Sequence, residues 1–117
     1  MSSLIRRGDI WLINLDPVIG SEIRKTRPCV IISSDAVGIL PVKLIAPVTA
    51  WDDRYNGNLW HIRIDSTPGT GLSKTSAVDA LQVRAVDTAR MIRRVGKVAP
   101  HIMVSIVEAV AAVIEVP

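Results

Sequence analysis

One cysteine, Cys29, is all this sequence has, and a lone thiol cannot close an internal disulfide. That excludes a cross-linked secreted scaffold. No apolar run approaches the ~18 residues that a membrane helix requires. The opening MSSLIRRGDI lacks the apolar segment and cleavage site of a secretory leader, so the chain reads as cytoplasmic, with no membrane partner. Histidine is nearly absent, at two residues. His61, His101 and Cys29 share no ligand spacing, so no metal site is expected. His61 reads as a strand-face residue and His101 as a surface one, rather than an acid–base pair. The Gly69-Thr70-Gly71 stretch is too sparse for a phosphate loop and reads as a flexible turn.

What remains is ample for a folded unit. In 117 residues, 49% are hydrophobic, which excludes a disordered chain, and the length suits one domain, taken as 1–117. The net charge of +3 leans mildly towards anionic partners. Its distribution says more. Arg24, Lys25 and Arg27 crowd one short connection, GSEIRKTRP at 20–28. Arg90, Arg93, Arg94 and Lys97 form a second group, in which Arg93 and Arg94 read as solvated strand-edge charges rather than RNA ligands. The last nineteen residues hold no Lys or Arg.

β-formers and turn residues predict strands at 9–15, apolar on both faces and so covered on both, and at 29–33, 42–49, 59–65, where the two faces alternate, and 77–86. Pro47, lacking an N–H, puts the third strand at an edge or bends it. Asn56-Gly57 signals a hairpin between the third and fourth strands. Asp87 or Thr88 caps a single helical turn, and 93–98 returns as a short strand. From Pro100 the spacing changes to three and four (Ile102, Ile106, Val110, Val113), predicting a helix. Its β-branched residues need packing to hold it helical. The fold expected is mainly β with a C-terminal helix: a small, curved antiparallel sheet, partly closed as a barrel.

Two residues carry candidate chemistry. Pro28 biases Arg27 to an extended backbone at the entry of strand two. Thr49 ends strand three, which on simple pairing lies beside strand two. A guanidinium clamps phosphate, and a threonine hydroxyl hydrogen-bonds a phosphoryl oxygen. Cys29 reads as a small buried apolar residue. Trp51 and Tyr55, after Thr49, read either as base-stacking platforms or as packing. Lys74, Ser76 and Arg84 read either as groove lining or as ordinary surface.

The stretch RRGDIWLINLDPVIGSEIRKTRPCVIIS resembles the N-terminal signature of the MazF/PemK (Kid-like) toxins of bacterial toxin–antitoxin modules. The later APVT, GLSKTSAVDALQVRAVD and closing amphipathic helix follow in that family's order. The resemblance implies an SH3-like or CcdB-like barrel and a homodimer. It implies an endoribonuclease that uses no metal or other cofactor and cuts single-stranded RNA at short sequences. There the 2′-OH attacks the adjacent phosphate, giving 2′,3′-cyclic phosphate and 5′-OH ends. It further implies Arg27 and Thr49 as the catalytic pair. Ser21 and Glu22 fall on the loop that covers RNA, with Arg24 and Lys25 making that loop more basic. Gln82 falls on an RNA-contacting strand position, and an acidic, MazE-like antitoxin competes for the groove. Two alternatives stand beside this reading: a gyrase-poisoning toxin of the same fold, and a non-catalytic nucleic-acid-binding barrel.

Overall fold

The computed structural model describes residues 4–116. Its strands are β1 (Asp9–Asn14), β2 (Thr26–Ile31), β3 (Val42–Ala50), β4 (His61–Ile64), β5 (Ser76–Asp79), β6 (Arg84–Asp87) and β7 (Met91–Lys97), followed by helix α1 (Pro100–Val113). All pairings are antiparallel, in the order β4-β5-β3-β2-β1-β7, with β6 also on β3.

β3 organises the sheet. One side takes β2; the other takes β5 along Val48–Ala50 and β6 along Val42–Ile45. β3 is therefore not the edge strand that Pro47 suggested; instead, its β5/β6 side is left without pairing at Ala46 and Pro47. The single strand expected at 77–86 is in fact two. Three residues separate Ile45 from Val48 on β3, while six separate their partners Val78 and Arg84. The surplus forms a 3-10 turn at Ala80–Gln82. Asp79 causes it: one carboxylate oxygen accepts the N–H groups of Leu81 (3.0 Å) and Gln82 (3.3 Å), a local capping bond that competes with the ladder. Pro47 offers no donor there to oppose it.

The hairpin expected at Asn56-Gly57 does not form, because β5 lies between β3 and β4. Asp52 caps the Arg54 N–H (2.9 Å) and starts a 3-10 turn at Asp53–Tyr55, so Gly57, at φ 81°, closes a longer connection. β2 begins three residues earlier than expected, since β1 pairs it back to Asn14↔Thr26. The turn after Asp87 is a 3-10 turn at Thr88–Arg90, with the Asp87 side chain accepting from the Ala89 N–H.

No strand pairing joins β4 to β7 among the described residues, so the curved sheet is not closed by its ladder. The segment before β5 spans the gap: Lys97 N–H donates to the Gly69 carbonyl at 3.0 Å. Two glycines permit this approach. A Cβ at Gly96 would lie 2.4 Å from the Gly69 and Thr70 carbonyl oxygens, and one at Gly71 would lie 2.2 Å from that of Val95.

Both faces of the central strands are buried, as the near-continuous apolar run of β1 implied. Ile10, Val30, Ala46, Val48 and Val78 pack with Met103 and Ile106 of α1. Ile13, Cys29, Ile31, Ile45 and Val86 form the opposite cluster. In α1, Pro100 occupies the first turn and Met103, Ile106 and Ala109 are buried, while Val104 and Val107 remain exposed. The β-branched helix is held by this contact rather than by its own propensity.

Candidate nucleic-acid interface

The β2–β3 ladder ends at Cys29↔Pro47, and Arg27 and Thr49 lie two residues beyond that pair on their own strands. Both contribute to the wall of a cavity of about 310 Å³, shared with Ser73, Lys74, Ser76 and Arg93. The Arg27 Nε–H donates to the Arg24 carbonyl at 3.2 Å. Its terminal nitrogens have no partner among the described residues and can take a phosphate in a fork. The half-buried Thr49 hydroxyl makes only a long contact, 3.4 Å to the Ala50 carbonyl, and remains available to a ligand.

A second cavity, about 390 Å³, is lined by Ser21, Glu22, Ile23, Pro47, Gln82 and Arg84, among others. Pro47 lies two residues before Thr49 on the same strand face, about 7 Å away, so the cavities adjoin along β3. Here Arg84 donates to the Leu15 carbonyl at 3.1 Å, and the Glu22 carboxylate accepts the Ile19 N–H at 2.6 Å. Cys29 is fully buried. Desolvation pushes its thiol up to about 12, against a smaller lowering by Arg84, so it stays a neutral, inert packing group.

The structure thus gathers seven of the ten anticipated residues around two neighbouring cavities: Arg27, Thr49 and Ser76 at one, Ser21, Glu22, Gln82 and Arg84 at the other. Three stand apart. Arg24 folds onto its own loop, donating to the Gly20 carbonyl at 3.1 Å. Lys25 is exposed, in a left-handed conformation with φ 70°, its N–H on the Asp16 carboxylate. Trp51 donates to Asp53 (3.1 Å), meets Tyr55 edge-on at 5.7 Å and lies 5.4 Å beneath the Arg63 guanidinium. Gln82 sits in the 3-10 turn rather than on a strand, because of the Asp79 cap.

Arg93 is exposed on the edge strand β7, as read from the sequence, and it also contributes to the cavity wall. Leu12 pairs with Pro28 on one side and with Arg93 on the other, which carries β7 to the Arg27 end of the sheet. Only the β1–β7 pairing reveals that, and no local pattern encodes it. Arg94, on the alternate face, bonds the buried Asp9 at 3.2 Å.

The histidines lie apart in the architecture. His101 is exposed on the first turn of α1. His61 stacks on Tyr55, with ring centroids 3.6 Å apart and planes within 4°, and its Nε2 lies 3.7 Å from Asp79. Asn58 uses its amide oxygen on the Trp60 and His61 N–H groups, so its NH2 faces His61 Nδ1 at 2.9 Å. Nδ1 therefore accepts and Nε2 carries the proton. Burial lowers the His61 pKa, against a smaller raising by Asp79.

Residues 6–114 match the profile of the PemK-like, MazF-like toxins of type II toxin–antitoxin systems. The chain belongs to that family. It is 32% identical over 101 residues to endoribonuclease MazF9 of Mycobacterium tuberculosis, covering 81% of this chain and 83% of the relative. Against endoribonuclease PemK of Escherichia coli it is also 32% identical over 101 residues, covering 85% and 74%. The crystal structure of MazF from Deinococcus radiodurans superposes with a TM-score of 0.79 at 19% identity, covering 94% of this chain and 96% of that one, a likeness of fold. The matched span of the toxin family contains every residue lining the two cavities.

Proposed function

We propose that this chain is the toxin of a type II module: an endoribonuclease that cuts single-stranded RNA along the two neighbouring cavities. The observation that carries the reading is that Arg27, from β2, and Thr49, from the adjoining β3, line one cavity wall. Membership of the family supports it.

RNA brings its own nucleophile, so no activated serine or cysteine is needed. The ribose 2′-OH gives up its proton to solvent as it attacks the adjacent phosphorus, the P–O5′ bond breaks, and the products carry a 2′,3′-cyclic phosphate and a 5′-OH. The protein must stabilise charge on the phosphorane and deliver a proton to the departing oxygen. An arginine stays protonated at neutral pH, so Arg27 serves as phosphate clamp and, with its proton restored from solvent, as donor to the departing oxygen rather than as base. Thr49 donates to a non-bridging oxygen. Ser21, Glu22, Ser76 and Arg84, with the nearby Lys74 and Arg93, contact flanking nucleotides. Arg24 and Lys25 supply charge on the covering loop, and Trp51 offers a stacking face only if its cluster with Tyr55 and Arg63 opens.

The partners follow from the same surface. An acidic antitoxin segment competes with RNA for these cations. The toxin works as a homodimer in the cytoplasm, where its RNA substrate is.

The test incubates purified protein with long single-stranded RNAs in EDTA, beside Arg27→Ala and Thr49→Ala, and maps the ends. Discrete cuts ending in cyclic phosphate, lost with Arg27→Ala, support the reading. A folded wild type that leaves many RNA sequences intact overturns it.

A further inference from the structure

The Gln82 carboxamide is occupied at both ends by a segment some sixty residues away in sequence. Its oxygen accepts the Ile23 N–H at 2.6 Å, and its NH2 donates to the Ser21 carbonyl at 3.4 Å. The turn carrying it is fixed in turn by Asp79, through the N–H groups of Leu81 and Gln82. Asp79 is buried and lies on β5, which pairs with the Thr49 end of β3. On the loop side, Glu22 accepts the Ile19 N–H. One residue beyond Ile23, the Arg24 carbonyl receives the Arg27 Nε–H. A continuous path therefore runs from the buried Asp79, through the Gln82 side chain and the 21–24 backbone, to the guanidinium proposed to hold the phosphate.

We propose that Gln82 is a positioning residue: a two-point clasp that holds segment 21–24 against the 80–82 turn and so sets the orientation of Arg27. The inference rests on the ribonuclease reading. It departs from the expectation that Gln82 contacts RNA, because both functional ends of the amide already have backbone partners. Glutamine suits the task, since one side chain must accept from one backbone group and donate to another. Glutamate keeps only the acceptor and sets a carboxylate against the Ser21 carbonyl. Methionine keeps the length and loses both bonds. The path to Arg27 passes through backbone, so loosening it tilts the guanidinium rather than removing it. The loss then falls on the chemical step more than on RNA affinity.

The test measures two quantities on Gln82→Met and Gln82→Glu: amide hydrogen exchange at Ile23 in the RNA-free protein, and kcat, KM and cut-site sequence on an RNA that wild type cleaves. Exchange reads the clasp without any need for activity, so a wild type that fails to cleave tells against the ribonuclease reading and leaves the clasp to stand or fall on exchange. Expected for Gln82→Met is Ile23 exchange about tenfold faster, as loss of one hydrogen bond gives. With it comes a kcat about ten- to a hundredfold lower, KM changed much less, and the same cut sites. Gln82→Glu, keeping the acceptor, falls between wild type and Gln82→Met in both readouts. Unchanged Ile23 exchange in Gln82→Met overturns the clasp. Faster exchange with wild-type kcat overturns its role in setting Arg27. A shifted cut-site preference with unchanged exchange shows that Gln82 reads the RNA directly. Should Gln82→Met fail to fold, Gln82→Leu, which also lacks both bonds, decides on the same criteria.

Discussion

Replacing Asp79 with alanine isolates the residue that breaks the expected 77–86 strand in two. Its carboxylate accepts two backbone N–H groups, at 3.0 Å from Leu81 and 3.3 Å from Gln82. A hydrogen bond to a charged acceptor contributes about 1.5–3 kcal/mol, and the shorter of these should lie near the low end because Leu81 is exposed and water can replace the carboxylate there. The longer bond adds a few tenths. The expected cost is about 2 kcal/mol, which at roughly 4 °C per kcal/mol is a fall in Tm of about 8 °C. Asp79→Asn keeps an oxygen acceptor and should lose less than half as much. Urea titration of the three proteins at one fixed protein concentration measures this; the concentration is held because dimerisation would otherwise shift apparent stability. Equal losses in the alanine and asparagine variants would refute capping as the cause, and so would a loss below about 0.5 kcal/mol for alanine. Either result would leave Pro47 alone to account for the break.

His61 makes stability depend on pH with a definite sign. Its folded pKa is lowered, by burial first, so below 6.5 the unfolded chain binds more protons than the folded one. Its contribution is complete above that value and is lost as pH falls below it; the slope should flatten in His61→Gln when denaturation midpoints are compared across that range. Gly96→Ala places a methyl 2.4 Å from two carbonyl oxygens and should cost about 1–3 kcal/mol, read in urea, with Lys97 amide exchange accelerated as the seam opens. Arg27→Lys keeps the charge and loses the fork, so it should not rescue cleavage lost in Arg27→Ala. Thr49→Ala should lower kcat by about 10²–10³ with Tm unchanged.

The parts of this fold that were legible in the sequence are those a local pattern encodes. The helix announced itself through Pro100 and the spacing of Ile102 and Ile106. Strands β1, β3 and β4 followed from β-branched runs between turn residues. That Arg27 and Thr49 would line one cavity needed only one further assumption, that consecutive strands pair, and β2 and β3 do. The same assumption failed at Asn56-Gly57, because β5 comes from farther along the chain and takes the place beside β3. Turn chemistry reports that the chain reverses; it does not report which strand will fill the neighbouring edge.

The remaining features depend on side chains that use the backbone as a partner. Asp79 looks, in sequence, like one polar residue within an apolar strand, and only its burial shows that it must be satisfied by nearby N–H groups. Once it is, the 3-10 turn follows, and Gln82 moves from a strand face to a position above the 21–23 loop. Arg93 is hidden for a related reason. Its place depends on β1 standing between β2 and β7, a pairing that spans most of the chain. The proposed catalytic pair could be read from the family resemblance, whereas the groups proposed to hold it in place are set by contacts between distant segments. Substitutions at Asp79, Gln82 and Gly96 are therefore a stricter test of this structure than substitutions at Arg27, whose role the resemblance already implied.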